Sequence, residues 1–217
     1  MRIVTMLHAE GELDDARDRA IRRAVAEAAA AVAGVRRTHL GRHLPGSVRG
    51  GHYTWDVLFD GRDPGALHQA PSLQPLVAGG ALRLDTVAFE SQHLAVPQPG
   101  IRDCVKRTLF LRVLPGTPPD VAERFEHDTM GMPRYIDAIR NWAFSRVDPE
   151  LHPTPWTHVW EQEFQELRGL QEDYMLSPYH WGLVDGWFDP ECPQRIVDTH
   201  LAHVFCPAAE TILGWQP

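Results

Sequence analysis

The order of the elements predicted along the chain indicates an α+β fold in which the pattern β-α-β-β-α-β occurs twice. In the first copy, strand patterns cover residues 2–8, 35–44, 53–59 and 82–89, and helical patterns cover 13–33 and, weakly, 65–77. This order defines the ferredoxin-like arrangement. One such sheet leaves an apolar face exposed, and a second sheet packed against it buries both faces. We therefore predict two ferredoxin-like βαββαβ units packed sheet to sheet as an α/β barrel, an intrachain pseudo-dimer.

The first helix has the clearest pattern of any predicted element. Residues 13–33 contain an alanine-rich run, and Ile21, Val25 and Ala28 recur at helical spacing. Gly34 follows where a helix commonly ends on a residue with positive φ. The strand at 53–59 is predicted instead from a partial alternation of apolar and polar side chains.

The same order of elements returns after a linker at 95–102 that contains two prolines and a glycine. Strands are predicted at 105–114, 139–147, 156–164 and 195–205, and helices at 117–128, 166–176 and 178–188. The repeat is recognised from the order of the elements, because the sequence likeness between the two copies is faint. We expect one domain at 1–96 and a second, carrying the site, at 103–217.

Composition and charge narrow the classes of partner. The chain has 217 residues, of which 43% are hydrophobic, and a formal net charge of −8. An acidic chain without a clustered basic face argues against nucleic acid as a partner. No stretch approaches the roughly 18 apolar residues that a membrane span needs, and the N-terminal residues are too quickly polar for a signal peptide. We expect a cytoplasmic protein with no membrane partner.

The cysteines and histidines indicate no metal centre. Cys104, Cys192 and Cys206 form no CxxC pair, so we predict neither a disulfide framework nor a zinc cluster. His200 and His203 fall on opposite faces of a predicted strand and are poorly placed to bind one ion.

The stretch from Tyr174 to His180 contains the strongest candidates for chemistry. A Ser-Pro break separates the two residues, with Ser177 as a candidate N-cap and Pro178 as the first residue of a new helix. His180 would then lie near the positive end of the helix dipole, which disfavours its protonated form. A neutral imidazole suits a general base, and a phenol suits a hydrogen-bond donor to an oxyanion. The alternative is structural, with Tyr174 and Trp181 in one packing stripe.

Four further residues are candidate contacts to a substrate. His158 and Trp160 line the cavity if their face of the strand points inward together with Trp156. Arg107 either binds a substrate carboxylate or thioester oxygen or forms an ion pair with an acidic residue such as Glu161 or Glu163. Trp160 and Trp181 either form an aromatic pocket or pack in the core.

The second half resembles the dimeric α/β-barrel family, also called stress-responsive A/B barrel proteins. The resemblance covers residues 104–206 and rests on four stretches of sequence. These are the strand 105–113 followed by Pro-Gly-Thr, Thr157-His158-Val159, Asp173-Tyr174 with Pro178-x-His180, and Asp198. In family members that close polyketide rings, the catalytic pair falls on Tyr174 and His180, and one pocket histidine falls on His158.

Two departures from the family pattern affect what the resemblance implies. A pocket histidine of the first strand falls on Arg107, and the usual His-Pro-x-His reads Ser177-Pro178-Tyr179-His180. The corresponding stretch of the first half, 67–73, lacks both the tyrosine and the second histidine. The resemblance therefore implies one active and one degenerate half.

These residues predict a cofactor-independent enzyme that closes a ring in a polyketide-like poly-carbonyl intermediate by aldol condensation. His180 is the predicted base and Tyr174 the acid or oxyanion donor. The expected partner is a small-molecule substrate, free or attached to a carrier, and pairing into a homodimer stays open. Two alternatives are a haem-binding α/β-barrel enzyme, with His180, His158 or His127 as axial ligand, and a non-catalytic ligand-binding or stress-response protein.

Overall fold

The computed structural model describes residues 1–61 and 63–215. The last two residues of the predicted second domain lie outside this range. In the first half the elements are β1 (Arg2–Ala9), α1 (Asp15–Ala31), β2 (Val35–Arg42), β3 (Tyr53–Phe59), α2 (Gln74–Ala78) and β4 (Leu82–Phe89). In the second half they are β5 (His93–Ala95), β6 (Arg102–Leu111), α3 (Pro119–Gly131), β7 (Ile139–Arg146), β8 (His158–Phe164) and β9 (Ala202–Glu210).

The strands form two antiparallel sheets with the same connectivity. The first sheet has the order β2-β3-β1-β4, and the second has β7-β8-β6-β9 with the short β5 added at the β7 edge. These orders are those of ferredoxin-like units, so the predicted fold class is confirmed. β5 precedes the predicted domain boundary at 96 but pairs with the second sheet.

The two sheets pack face to face around a shared apolar layer. Alternate residues of a strand point to opposite faces, and on β6 Phe110 joins a cluster with Val4 and Val159 between the sheets, whereas Leu109 faces the helices of its own half. The sheet edges meet at short links, such as the bond from Leu44 N to the Phe205 carbonyl (2.9 Å). Among the described residues the strands do not continue from one sheet into the other as a closed barrel.

Four buried charges lie within the interface between the sheets. Arg2 and Asp56 come from the first half, and Lys106 and Glu161 come from the second. Arg2 contacts Asp56 at 2.8 Å and Glu161 at 3.0 Å, while Lys106 contacts Asp56 at 2.5 Å and Glu161 at 2.9 Å. Each cation thus contacts one anion of each half, and we call this group the interface quartet.

Local sequence explains where α1 begins and ends. The Asp14 side chain accepts a hydrogen bond from the Arg17 N–H (2.8 Å), as an N-cap residue does. Ile21, Val25 and Ala28 form the buried face, as their spacing predicts. Gly34, at φ +99°, adopts the left-handed conformation required to turn into β2, where a side chain would be strained.

Several element boundaries in the second half differ from the prediction. β8 begins at His158 and not at Trp156, which packs between the sheets. β9 covers 202–210 and not 195–205, because residues 195–201 form a loop held by bonds such as Asp198 N to the Arg112 carbonyl (2.8 Å). The helices predicted at 166–176 and 178–188 contain π-helical turns at Gly169–Tyr174 and His180–Val184. In the described part of the chain, no helix has the length and apolar character to cross a membrane.

Candidate active site

A cavity of about 210 Å³ lies between the second sheet and the helical segments that cover it. It is therefore on the opposite side of the sheet from the first half. The space between the sheets is filled by the apolar layer and the interface quartet. The cavity is lined by Arg107, Leu109, Thr129, Met132, Trp160, Tyr174, Met175, His180, Val184, Asp185, Phe188, Leu201 and His203.

The Ser-Pro break brings Tyr174 and His180 into direct contact. The first π-helical turn ends at Tyr174, and the chain reverses through Ser177, whose N–H bonds to the Tyr174 carbonyl (3.3 Å). A new helix begins at Pro178, with His180 as its third residue. The two rings lie with centroids 4.4 Å apart, and both side chains are buried and line the cavity.

The segment 175–188, which we call the cover, is anchored on α3. Gly131 of α3 leaves room for the Tyr179 hydroxyl, with which a Cβ atom at this position would collide. The Trp187 indole donates a hydrogen bond to Asp128 Oδ2 (3.0 Å). These contacts fix both ends of the second π-helical turn and so position His180 over the cavity.

Arg107 is a buried cation of the cavity wall without a carboxylate within ion-pair distance among the described residues. Its Nε donates to His203 Nε2 (2.8 Å) and its Nη1 donates to Gln162 Oε1 (2.5 Å). The predicted alternative of an ion pair with Glu161 or Glu163 is wrong. Both carboxylates point to the other face of β8, whereas Gln162 pairs directly with Arg107 in the β6–β8 register.

The charge of Arg107 acts on the neighbouring ring of Tyr174. The guanidinium carbon lies 4.9 Å from the centre of this ring, a cation–π distance. Burial raises the pKa of the Tyr174 phenol above its ordinary value, and the charge of Arg107 offsets part of that increase. Tyr174 is therefore a neutral hydrogen-bond donor at pH 7.

His180 is neutral for a different reason from the one that its sequence position suggests. Burial, and then the positive charge of Arg107, lowers the pKa of its imidazole to about 4. Asp185 Oδ1 lies 3.4 Å from Nε2, and Nδ1 is buried without a hydrogen-bond partner in the described structure. The predicted neutral state of the imidazole therefore has its main causes in burial and Arg107, with the helix dipole not needed.

Sequence reasoning missed two titratable residues of the cavity. His203 accepts the bond from Arg107, and burial together with Arg107 lowers its pKa to about 3. Asp185 lies at the cavity edge, half exposed, and burial raises the pKa of its carboxyl. The ferredoxin-like order contained a signal for His203, because it places the last strand beside β6, where His203 pairs with Leu109.

The other predicted substrate contacts divide into two groups. Trp160 lines the cavity, and its buried Nε1 has no hydrogen-bond partner among the described residues. His158 is on the same face but lies outside the cavity wall, where its Nε2 contacts Glu126 Oε1 (3.0 Å). Trp181 is 60% exposed on the outside of the cover and also lies outside the wall.

The corresponding place in the first half holds different polar groups, and its His68 Nε2 lies 2.7 Å from Thr86 Oγ1. Leu109 pairs with Trp160 and His203 in the second sheet, and Thr5 pairs with Trp55 and Thr86 in the first. By this register His203 corresponds to Thr86, and Arg107, two residues earlier, corresponds to Ile3. Across the described residues, no group of three or more His, Cys, Asp or Glu side chains is arranged to hold a metal ion.

Comparison with known families and structures agrees with this geometry. Residues 105–198 match the family model Dabb, described as Stress responsive A/B Barrel Domain, which includes all of the cavity wall except Leu201 and His203. The second half therefore has the sequence features of a stress-responsive A/B barrel domain. No curated protein matches the chain in sequence.

Solved structures resemble the whole chain in fold. An anthrone oxidase-like protein superposes with a TM-score of 0.60 and 11% sequence identity, covering 95% of this chain and 90% of that one. A mutant chlorite dismutase from Candidatus Nitrospira defluvii superposes with a TM-score of 0.56 and 8% identity, covering 98% of this chain and 92% of that one. At these identities the likeness concerns the two-sheet fold.

Proposed function

We propose that the chain is a cofactor-independent cyclase that closes a ring in a small polyketide-like compound by an aldol condensation. The observation that carries the proposal is the contact between a neutral imidazole and a neutral phenol beside a buried cation, all lining one cavity. The motif around Tyr174 and His180 also resembles that of olivetolic acid cyclase. We further propose that residues 103–217 supply one active site per chain and that residues 1–96 are a degenerate copy.

In the proposed reaction, His180 takes a proton from a carbon between two carbonyl groups. The resulting enolate carbon attacks a second carbonyl carbon of the same molecule and forms the ring bond. The new alkoxide takes a proton from the Tyr174 hydroxyl, which regains one from the His180 imidazolium. The resulting β-hydroxy ketone then loses a proton from the carbon between the carbonyls and its hydroxyl group as water, which completes the condensation and balances atoms and protons. Arg107 stabilises the enolate and alkoxide charges through its field, which is strong because the site is buried.

The cavity limits the size of the substrate. A cavity of roughly 150 Å³ is enough to hold a benzene ring, so about 210 Å³ accommodates one ring with a few substituents. Rings on the wall, including Trp160 and Phe188, suit a planar compound. The substrate is therefore a short poly-carbonyl chain.

Replacing either member of the pair should abolish most of the activity. With a synthetic tri-β-keto thioester of N-acetylcysteamine as probe, we expect His180→Ala to lower kcat by about 10²–10⁴-fold, as loss of a general base does. Tyr174→Phe should lower kcat by about 10²–10³-fold, as loss of one oxyanion donor does. Cyclised product is measured by liquid chromatography with mass detection.

Tyr135→Phe and His93→Ala are the matched controls, because both side chains are exposed and lie outside the cavity wall. Both should retain wild-type turnover. Wild-type activity in His180→Ala and Tyr174→Phe would exclude the proposed mechanism and favour the non-catalytic alternative.

The pH dependence should identify the base. The pKa of His180 is lowered to about 4, so its imidazole is unprotonated above that value and protonated below it. We expect kcat to stay level from pH 8 down to about pH 5 and to fall through pH 4. A fall centred near pH 6.5, the ordinary value for histidine, would show that His180 is not the buried base described here.

The haem alternative fits the cavity poorly. The cavity of about 210 Å³ is smaller than the roughly 300–1,000 Å³ typical of drug-sized ligands and cofactors. His158 is engaged with Glu126, and His127 faces a separate surface groove with Asp120 and Glu123. Titration with haemin, followed by its Soret absorption, tests this alternative, and a stoichiometric shift would revive it.

A further inference from the structure

The cavity has a permanent positive charge that the described residues do not balance within it. Arg107 is 4% exposed, and its two hydrogen bonds go to a neutral amide and a neutral imidazole. A guanidinium has five N–H donors, so these bonds leave others unused. Asp185, the nearby carboxylate, is half exposed and acts on Arg107 across a longer distance.

The histidines beside Arg107 do not reduce this charge imbalance. His180 and His203 are both neutral at pH 7, since burial and the Arg107 charge lower the pKa of each. Neither therefore supplies a negative charge, and His203 acts only as an acceptor for the Arg107 Nε. A buried charge without a partner is costly, and a ligand of opposite charge removes that cost.

Two uncharged donors belong to residues of the same wall. Thr129 Oγ1 and Trp160 Nε1 are buried, line the cavity and have no hydrogen-bond partner among the described residues. Buried polar groups are normally paired, so the unused N–H donors of Arg107 on the cavity wall indicate a ligand that supplies acceptors.

We propose that the ligand of this cavity is a small planar organic acid whose carboxylate binds at Arg107, with its unsaturated body against Tyr174 and His180. The proposal rests on the proposed function and specifies its chemical class. The acid is the substrate, present without its thioester, or the ring product that remains after cyclisation. A guanidinium and a carboxylate form two parallel hydrogen bonds, which gives direction as well as affinity.

Benzoate and benzamide test the proposal on the unmodified protein, because they share shape and differ in charge. We expect benzoate to bind at least about tenfold more tightly, as hydrogen bonds to a charged partner imply. Affinities are measured by isothermal titration calorimetry at pH 7, with the fluorescence of the tryptophans as a second signal. Equal affinities for the two probes would overturn the proposal.

Variants then assign the preference to Arg107. Arg107→Gln should remove the preference for benzoate, and Arg107→Lys should retain part of it. Arg112→Gln is the matched control, because this arginine lies outside the cavity wall, is 42% exposed and is paired with Asp198. If Arg107→Gln does not fold, the affinities of Arg107→Lys and of the wild type for benzoate and benzamide still test the proposal.

His180→Ala separates the two proposals. It should lose turnover while keeping the preference for benzoate. Preference for benzoate without any wild-type turnover would remove only the cyclase proposal. Wild-type turnover without a preference would remove only the assignment of an acid.

Discussion

Lys106→Met is expected to destabilise the protein by about 3–5 kcal/mol, because it leaves buried carboxylates without a partner. Lys106 is fully buried and contacts Asp56 and Glu161 at 2.5 and 2.9 Å. Burial acts to raise the pKa of Asp56, but the charges of Lys106 and Arg2 outweigh it and hold that pKa below its ordinary value. Loss of one cation leaves only Arg2 for two anions. The free energy of unfolding is measured by urea denaturation.

Two comparisons make the result specific to the interface quartet. Arg37→Met removes an ion pair with Glu210 in which both side chains are about half exposed, and should cost less than about 1 kcal/mol. The double variant Lys106→Met/Glu161→Gln removes one charge of each sign and should recover part of the loss. A cost of Lys106→Met no larger than that of Arg37→Met would contradict the proposed role of the quartet.

Glu163→Gln is expected to cost about 3 kcal/mol, because four donors converge on this carboxylate. Oε1 accepts from the backbone N–H groups of Ile212 (2.6 Å) and Leu213 (3.0 Å), and Oε2 accepts from Asn141 Nδ2 and Thr211 Oγ1 (both 2.7 Å). A glutamine presents an NH₂ group to one pair of these donors. Hydrogen bonds to a charged group contribute about 1.5–3 kcal/mol each, so part of this network is lost.

The effect of Glu163→Gln should reach two separate segments. If the new NH₂ faces Asn141, that amide must rotate, and its oxygen then leaves the Gln98 N–H, which it accepts at 2.9 Å. Hydrogen exchange should therefore accelerate at Gln98 and at 211–214, with β1–β4 unchanged. Glu166→Gln, on an exposed side chain, serves as control. A uniform increase in exchange over the chain would show that Glu163 acts only on global stability.

Element order predicted the fold because its physical signals are local. The alanine-rich helix with its glycine end, and the strands at Tyr53–Phe59 and Leu82–Phe89, follow from propensity and turns. β9 was misplaced because Ile196 and Val197 favour a strand. The N–H groups of residues 196–198 donate instead to carbonyls outside the strands, and such tertiary bonds leave no local signal in the sequence. The alternation of side chains along the strand correctly placed His158 and Trp160 on one face of β8. It could not show which face of the sheet meets the helices.

The site was partly predictable for the same reason. Tyr174 and His180 are close in sequence, so a Ser-Pro break is enough to suggest that they converge. Arg107 and His203 are separated by 96 positions and meet only through the pairing of β6 with β9. Arg107 has an acidic partner only if a carboxylate of the neighbouring strand points to the same face of the sheet. A composition rich in Asp and Glu does not specify that face.

The position of the cavity on the helical side of the sheet separates ligand entry from the folding core. The cover, residues 175–188, contains a π-helical turn and is held to the body by contacts such as Trp187 to Asp128. We expect a ligand to enter by local displacement of this segment, while the interface quartet and the apolar layer between the sheets keep their contacts. Substitutions at exposed positions of the cover, such as Leu176 and Trp181, should thus alter exchange of ligand at nearly constant melting temperature, so that the rate of turnover and the thermal tolerance of this protein can change independently.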